Sequence, residues 1–131
     1  MKQEDKELLL KDLCARLPYG VKVAFFNEDL THHSEPKTLI GIECINNLNY
    51  SRLEDEDGNT TIVEFVKPYL FPLSSMTEEQ KKEQEAHFTC IKHDMSFSIC
   101  RYIEWCYKNH LDINGLIEKG LAIDATGLNI Y

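Results

Sequence analysis

Glycine is scarce in this chain, with six scattered through 131 residues. None forms the loop that cradles a phosphate or the Gly-x-Gly-x-x-Gly turn of a dinucleotide site. There is no Gly-x-Ser-x-Gly elbow and no Cys–His frame of a recognisable kind, so no signature of nucleophilic catalysis is legible. Catalytic carboxylates leave no local signature, and the reading therefore leans away from an enzyme without excluding one. The sequence also lacks a CxxC pair. Its five cysteines, Cys14, Cys44, Cys90, Cys100 and Cys106, are odd in number. No apolar run approaches membrane-spanning length, and no internal repeat or low-complexity tract appears.

Basic charge is the other shortage. Fourteen Lys and Arg stand against 22 Asp and Glu, a formal net charge of −8. Binding to a phosphate backbone needs clustered cations, so a nucleic acid is a poor partner for this chain. Residues 1–7 are charged and carry no apolar stretch or small-residue cleavage site. The expectation is a cytoplasmic protein with free thiols and no membrane contact, in which Asn-x-Ser/Thr sites at Asn49 and Asn59 carry no meaning.

The length suits one domain, residues 1–131. At this size about two-thirds of the chain's surface is hidden on folding, so the core needs no disulfide or metal staple. Residues 3–17 read as an amphipathic helix, with Leu9, Leu10, Leu13, Cys14 and Leu17 on one face and Lys and Glu on the other. Pro18-Tyr19-Gly20 ends it. Strands are expected over 21–26, 38–45 with a bulge or a close backbone approach at Gly41, 50–55 and 60–66. Residues 27–36 form a polar loop holding His32 and His33. Asp57-Gly58 predicts a two-residue type I′ hairpin that pairs Leu53 with Ile62 and Tyr50 with Phe65. Apolar groups would then lie on both faces of that ribbon, which suits a curled sheet or a small barrel.

Residues 66–79, Val-Lys-Pro-Tyr-Leu-Phe-Pro-Leu-Ser-Ser-Met-Thr-Glu-Glu, separate a strand-like half from a helical half. Pro68 and Pro72 favour extended backbone. Tyr69, Leu70, Phe71 and Leu73 are apolar, so the segment reads as a buried latch in a groove. Thr77 and Gln80 form a capping box that starts a helix over 77–88. That helix is almost wholly polar, and Glu78 with Lys82 and Lys81 with Glu85 lie one turn apart. It should project into solvent or carry a partner contact.

Residues 96–110 form the clearest helix. Tyr102, Cys106, Ile99, His110, Ile103, Tyr107 and Cys100 fill an arc of about 160°, read as core, with Trp105 at its edge and its N–H in water. Residues 112–118 read as a short helix closed by Gly120, and Leu121-Ala122-Ile123 could add a strand at the sheet edge. The fold class is α+β: an N-terminal helix, a four-stranded antiparallel meander able to curl into a small barrel, the Pro-rich latch, then two to three helices and a short returning strand.

Soft ligands at His87, Cys90, His93 and Cys100 suggest zinc, but the paired knuckles of zinc modules are missing and Asp94-Met95-Ser96 should break the helix among them. His32-His33 has no partner at fixed spacing. In Glu54-Asp55-Glu56-Asp57-Gly58-Asn59, counted from Asp55, a calcium loop would need Gly where Thr60 stands and Glu where Val66 stands. No metal and no cofactor is expected. The residues left as a candidate contact surface are Glu54, Asp55 and Asp57 at the hairpin tip, with Glu78, Glu79, Lys82 and Glu83 on the polar helix.

Three blocks carry a resemblance: residues 9–21, residues 66–79, and Trp105 together with residues 115–123. Together they resemble a family of short proteins of gut Bacteroides-type bacteria and their phages or prophages. The likeness covers about half the chain and implies a bacterial cytoplasm and a mobile-element setting. It assigns no activity and carries over no functional residue. The leading expectation is a non-enzymatic interaction or accessory protein with a protein partner. The alternatives are a nucleic-acid module on a small barrel, an acidic DNA mimic, and a small hydrolase with a deep pocket.

Overall fold

The computed structural model describes residues 1–45, 50–93 and 95–131. The fold is α+β. Helix α1 (Gln3–Arg16) is followed by strands β1 (Lys22–Phe25), β2 (Lys37–Ile45), β3 (Tyr50–Asp55), β4 (Thr60–Thr61) and β5 (Val66–Leu70). Helices α2 (Glu78–His93) and α3 (Met95–Lys108) and a last strand, β6 (Ile123–Asp124), complete it. The strands form one mixed sheet in the order β4-β3-β2-β1-β5-β6, open at both edges. The expected four-stranded meander is thus replaced by six strands, and no barrel closes.

Leu9, Leu10 and Leu13 of α1 cover one face of the sheet, packing with Val21, Val23, Leu39, Leu53, Val66 and Leu70. The 3.6-residue period of α1 meets the two-residue period of the strands, which is what lets one helix stripe seal one sheet face. Cys14, expected on that stripe, is exposed. The opposite face is apolar only around β1, β5 and β6, where Ala24, Tyr69 and Ala125 are buried with Phe26, Phe71, Ile123 and Ile130 around them. Ala125 and Ile130 of the last segment pack there; the β3–β4 ribbon, expected to carry apolar groups on both faces, instead leaves Tyr50 exposed.

The hairpin between β3 and β4 differs by one residue from the expected register. The Asp55 N–H donates to the Asn59 carbonyl and the Gly58 N–H to the Asp55 carbonyl, both at 3.0 Å. Gly58 alone takes a positive φ, +82°. This is a three-residue loop with a left-handed glycine, and it pairs Leu53 with Thr61 and Glu54 with Thr60. Pairing ends there, because Val63–Phe65 turns into a single 3-10 turn. The Gly41 expectation holds: the register shifts between Leu39 and Gly41, which leaves Ile40 turned outward.

Val66–Leu70 is not a latch laid in a groove. It is an interior strand, antiparallel to β1 and parallel to β6. Proline is tolerated there for a geometric reason. The Phe26 N–H donates to the Phe65 carbonyl at 2.7 Å, so Pro68, opposite Val23, falls at a non-hydrogen-bonded pair. Its nitrogen points away from β1, towards β6, whose pairing begins only at Tyr69.

Beyond α3 the expected helix over 112–118 is absent; the segment is a series of turns. Asp112 caps it, its carboxylate accepting from the Leu116 and Ile117 N–H groups at 2.8 and 2.9 Å. Gly120, with φ +75°, closes it as expected. The edge strand follows two residues later than Leu121. The expected break at Asp94 and the Asn49 site lie outside the described residues. No helix among the described residues is long and apolar enough to cross a membrane.

Candidate functional site

Helices α2 and α3 fold back on each other as an antiparallel hairpin. The capping box forms as expected: the Gln80 N–H donates to Thr77 Oγ1 at 3.1 Å and the Thr77 N–H to Gln80 Oε1 at 3.0 Å. The ion pair found on the first turns is Lys81 with Glu78, at 3.1 Å, rather than the expected Glu78–Lys82 and Lys81–Glu85 pairs. The helix outruns its expected end at Phe88 because α3 supports it. Phe88 meets the Tyr102 ring at 5.1 Å between centroids, and Ile91 is half-buried.

The seam between the two helices is polar and aromatic. Gln84 Nε2 donates to the Tyr102 hydroxyl at 2.9 Å, and Gln80 Nε2 reaches Asn109 Oδ1 at 3.5 Å. The His87 ring lies 5.8 Å from Tyr102 and 5.4 Å from Trp105. Trp105 Nε1, expected in water, donates to the Glu83 carboxylate at 2.8 Å. The Tyr19 hydroxyl donates to Glu104 at 2.8 Å, tying the base of α3 to the end of α1.

The arc of α3 expected to be core is mostly not. Of its seven residues only Cys106 is fully buried; Cys100 is exposed, and Ile99 and Ile103 remain 37% and 38% accessible. Phe88 is 43%, Phe97 63% and Met95 67% accessible. Nothing on α2 is buried among the described residues. At about 100° per residue, Met95, Ile99 and Ile103 follow one another on a single flank of α3, the flank that Phe88 shares through Tyr102. The other flank is a shallow groove of about 490 Å³ lined by Glu83, Ala86, His87, Trp105, Lys108 and Asn109. It opens to solvent and gathers no convergent acid–base pair.

Beneath the base of the hairpin lies a buried polar cluster that amphipathic periodicity does not single out. Asp12 and Arg16, which lie outside the leucine stripe read for α1, are both fully buried. Arg16 Nε and Nη2 donate to the two Asp12 oxygens at 2.6 and 3.1 Å, and Nη2 also donates to the Leu111 carbonyl at 2.7 Å. Asn114 donates to Asp12 Oδ2 at 2.7 Å, and the guanidinium lies 4.9 Å from the Tyr107 ring centre. The residues that bury this pair come from a segment about a hundred positions away, which no local period can reveal. Cys106 and His110 stand nearby. Burial pushes the Cys106 thiol above its ordinary range and outweighs the lowering by its Tyr102 hydrogen bond and by Arg16. Burial first, then Arg16, holds His110 at about 4.

The proposed contact residues separate into two groups. Glu54, Asp55 and Asp57 belong to the β3–β4 hairpin at one sheet edge, while Glu78, Glu79, Lys82 and Glu83 ride on α2, which follows the interior strand β5 in the chain. Asp55 leaves the surface altogether. It is buried, and its carboxylate accepts from the Asp57 and Asn59 N–H groups at 2.9 and 3.0 Å, so its charge holds the turn. Asp57 pairs with Lys37 at 2.9 Å and Glu54 is half-buried. Glu78, Glu79, Lys82 and Glu83 are exposed. Among the described residues no three His, Cys, Asp or Glu side chains converge as ligands, His87, Cys90, His93 and Cys100 included. His33 instead holds the Ser34 carbonyl at 2.8 Å.

Comparison with protein-family models, with curated proteins and with solved structures finds no match to this chain.

Proposed function

We propose that this chain is a non-enzymatic interaction protein, a cytoplasmic accessory factor of a bacterial mobile element, and that it meets its protein partner through the α2–α3 hairpin. The observation that carries the reading is the bare apolar flank of that hairpin, Phe88, Met95, Ile99 and Ile103. Exposed apolar groups gathered on one element mark contact surfaces more often than isolated ones do. The exposed charges Glu78, Glu79, Lys82 and Glu83 lie on the first turns of α2 in the same hairpin. The acidic balance favours a partner that is not a nucleic acid.

Cross-linking in the host cytoplasm followed by mass spectrometry, with light scattering of the purified chain, tests the reading. A partner or self-association that depends on Phe88 and Ile99 is the expected result. Finding neither a partner nor self-association overturns it.

A further inference from the structure

We infer that the apolar flank of the hairpin is closed by a second copy of the same chain, two α2–α3 hairpins packing about a two-fold axis into four helices. The inference rests on the interaction reading above and narrows its partner. Its starting point is an inversion. In a self-sufficient helical hairpin the apolar residues lie in the seam and the polar ones outside. Here Gln80, Gln84, Tyr102, Trp105 and Asn109 bring hydrogen-bonding groups into the seam, Phe88 is only partly covered against Tyr102, and Met95, Ile99 and Ile103 stay outside. The seam holds the two helices together by directional bonds and packed rings and leaves the Met95, Ile99 and Ile103 flank uncovered.

The size of that surface fits a modest dimer. The four side chains leave on the order of 400 Å² bare on each chain, near the largest patch a monomer ordinarily shows and about half of what each partner gives to a standard interface.

Charge selects the partner. Two chains of net charge −8 repel across most of their surfaces. Residues 86–103 are the exception, with Lys92 and Arg101 against Asp94, two cations and one carboxylate. An isologous contact places a patch against itself, so it is permitted only where the patch is apolar and close to neutral. This flank meets both conditions. A membrane surface would call for clustered Lys and Arg beside the apolar groups, and residues 86–103 carry two cations, Lys92 and Arg101, which do not form such a cluster.

The test uses the full chain. Sedimentation and light scattering from about 1 to 200 µM should show a mass twice the 15.2 kDa of the chain. Ile99→Asp with Ile103→Asp should weaken the dimer about a hundredfold or more. Both positions are partly solvent-exposed in the single chain, so unchanged circular dichroism should accompany the loss. Ile99→Ala with Ile103→Ala, which adds no charge, should weaken it by a smaller factor and guards against a folding artefact. A wild-type chain that stays monomeric throughout, or a dimer indifferent to both double variants, overturns the inference. If the chain is monomeric but cross-linking captures a different protein at Phe88, the second copy is refuted and the interaction reading stands. If nothing is captured either, both fall.

Discussion

Tyr131 lies flat on His110, their ring centres 3.6 Å apart and their planes 12° from parallel. The same tyrosine reaches past that ring into the sheet. Its hydroxyl accepts from the Lys22 N–H and donates to the Tyr69 carbonyl, both at 2.8 Å. The register of β1 with β5 makes Lys22 and Tyr69 the next hydrogen-bonded pair after Ala24 and Lys67. The hydroxyl therefore stands in the ladder where a backbone bond would otherwise close. Burial pushes its pKa to about 12.

Tyr131→Phe keeps the ring stacked but strands one donor and one acceptor between β1 and β5. The expected loss is about 1–3 kcal/mol in urea unfolding. Because the folded pKa lies above the ordinary value of 10, the tyrosine's contribution is complete below pH 10 and fades as the pH rises towards 12. The wild type should therefore lose stability across that window more steeply than Tyr131→Phe. A parallel decline in both would refute the role.

His110 predicts acid sensitivity of the opposite sense. Its folded pKa, about 4, lies below the ordinary 6.5, so the unfolded chain binds the proton first. Stability from the buried neutral ring is complete above pH 6.5 and is lost as pH falls towards 4. His110 also closes α3 with φ 58°, the Leu111 N–H donating to the Cys106 carbonyl at 3.0 Å and the His110 N–H to Tyr107 at 3.1 Å. Asparagine accepts that left-handed position. His110→Asn should keep the helix end and flatten the denaturation profile between pH 6.5 and 4, by about 1–2 kcal/mol after allowance for partial exposure.

The Asp12–Arg16 pair should be costly to break from one side. Asp12→Ala leaves a guanidinium buried with one acceptor, Leu111, and an Nη1 that already has no partner among the described residues. A loss of about 3–5 kcal/mol is expected by urea unfolding. Replacing both, Asp12→Leu with Arg16→Met, should cost less than Asp12→Ala alone, since no unpaired charge remains. A double-mutant cycle with strictly additive losses would contradict this.

The capping box gives a local prediction. Thr77→Ala removes the acceptor for the Gln80 N–H and should cost about 1 kcal/mol. Hydrogen exchange should rise in the first turn of α2 and leave the sheet amides unchanged.

Much of the architecture was legible from local pattern. Leu9, Leu10 and Leu13 announced α1, Gly41 its bulge, and Thr77 and Gln80 the start of α2, whereas Gly120 takes its left-handed turn without the helix expected before it. Each of these depends on residues within a few positions of one another. The one-residue slip at the β3–β4 hairpin arose because Asp-Gly serves both a two-residue and a three-residue loop. The Asp55 carboxylate, bonded to the turn's N–H groups, accompanies the longer one.

The α2–α3 hairpin shows where local pattern stops. Periodicity correctly collected Ile99, Ile103 and Cys106 on one side of α3 but could not say how much of that side the rest of the chain would reach. Cys106 is covered at the base of the hairpin, while Ile99 and Ile103, nearer the tip, are not.

From its sequence alone the chain determined α1, α2 and α3, most of its strands, its acidic balance and the left-handed Gly20 and Gly58 at its turns, because these follow from φ/ψ preference, charge and short spacing. Tertiary structure decided that a proline-bearing segment would be an interior strand, that Arg16 would be buried with Asp12, and that an apolar helix flank would be left bare. Those outcomes depend on which distant segments meet, and burial is a property of the meeting rather than of either segment.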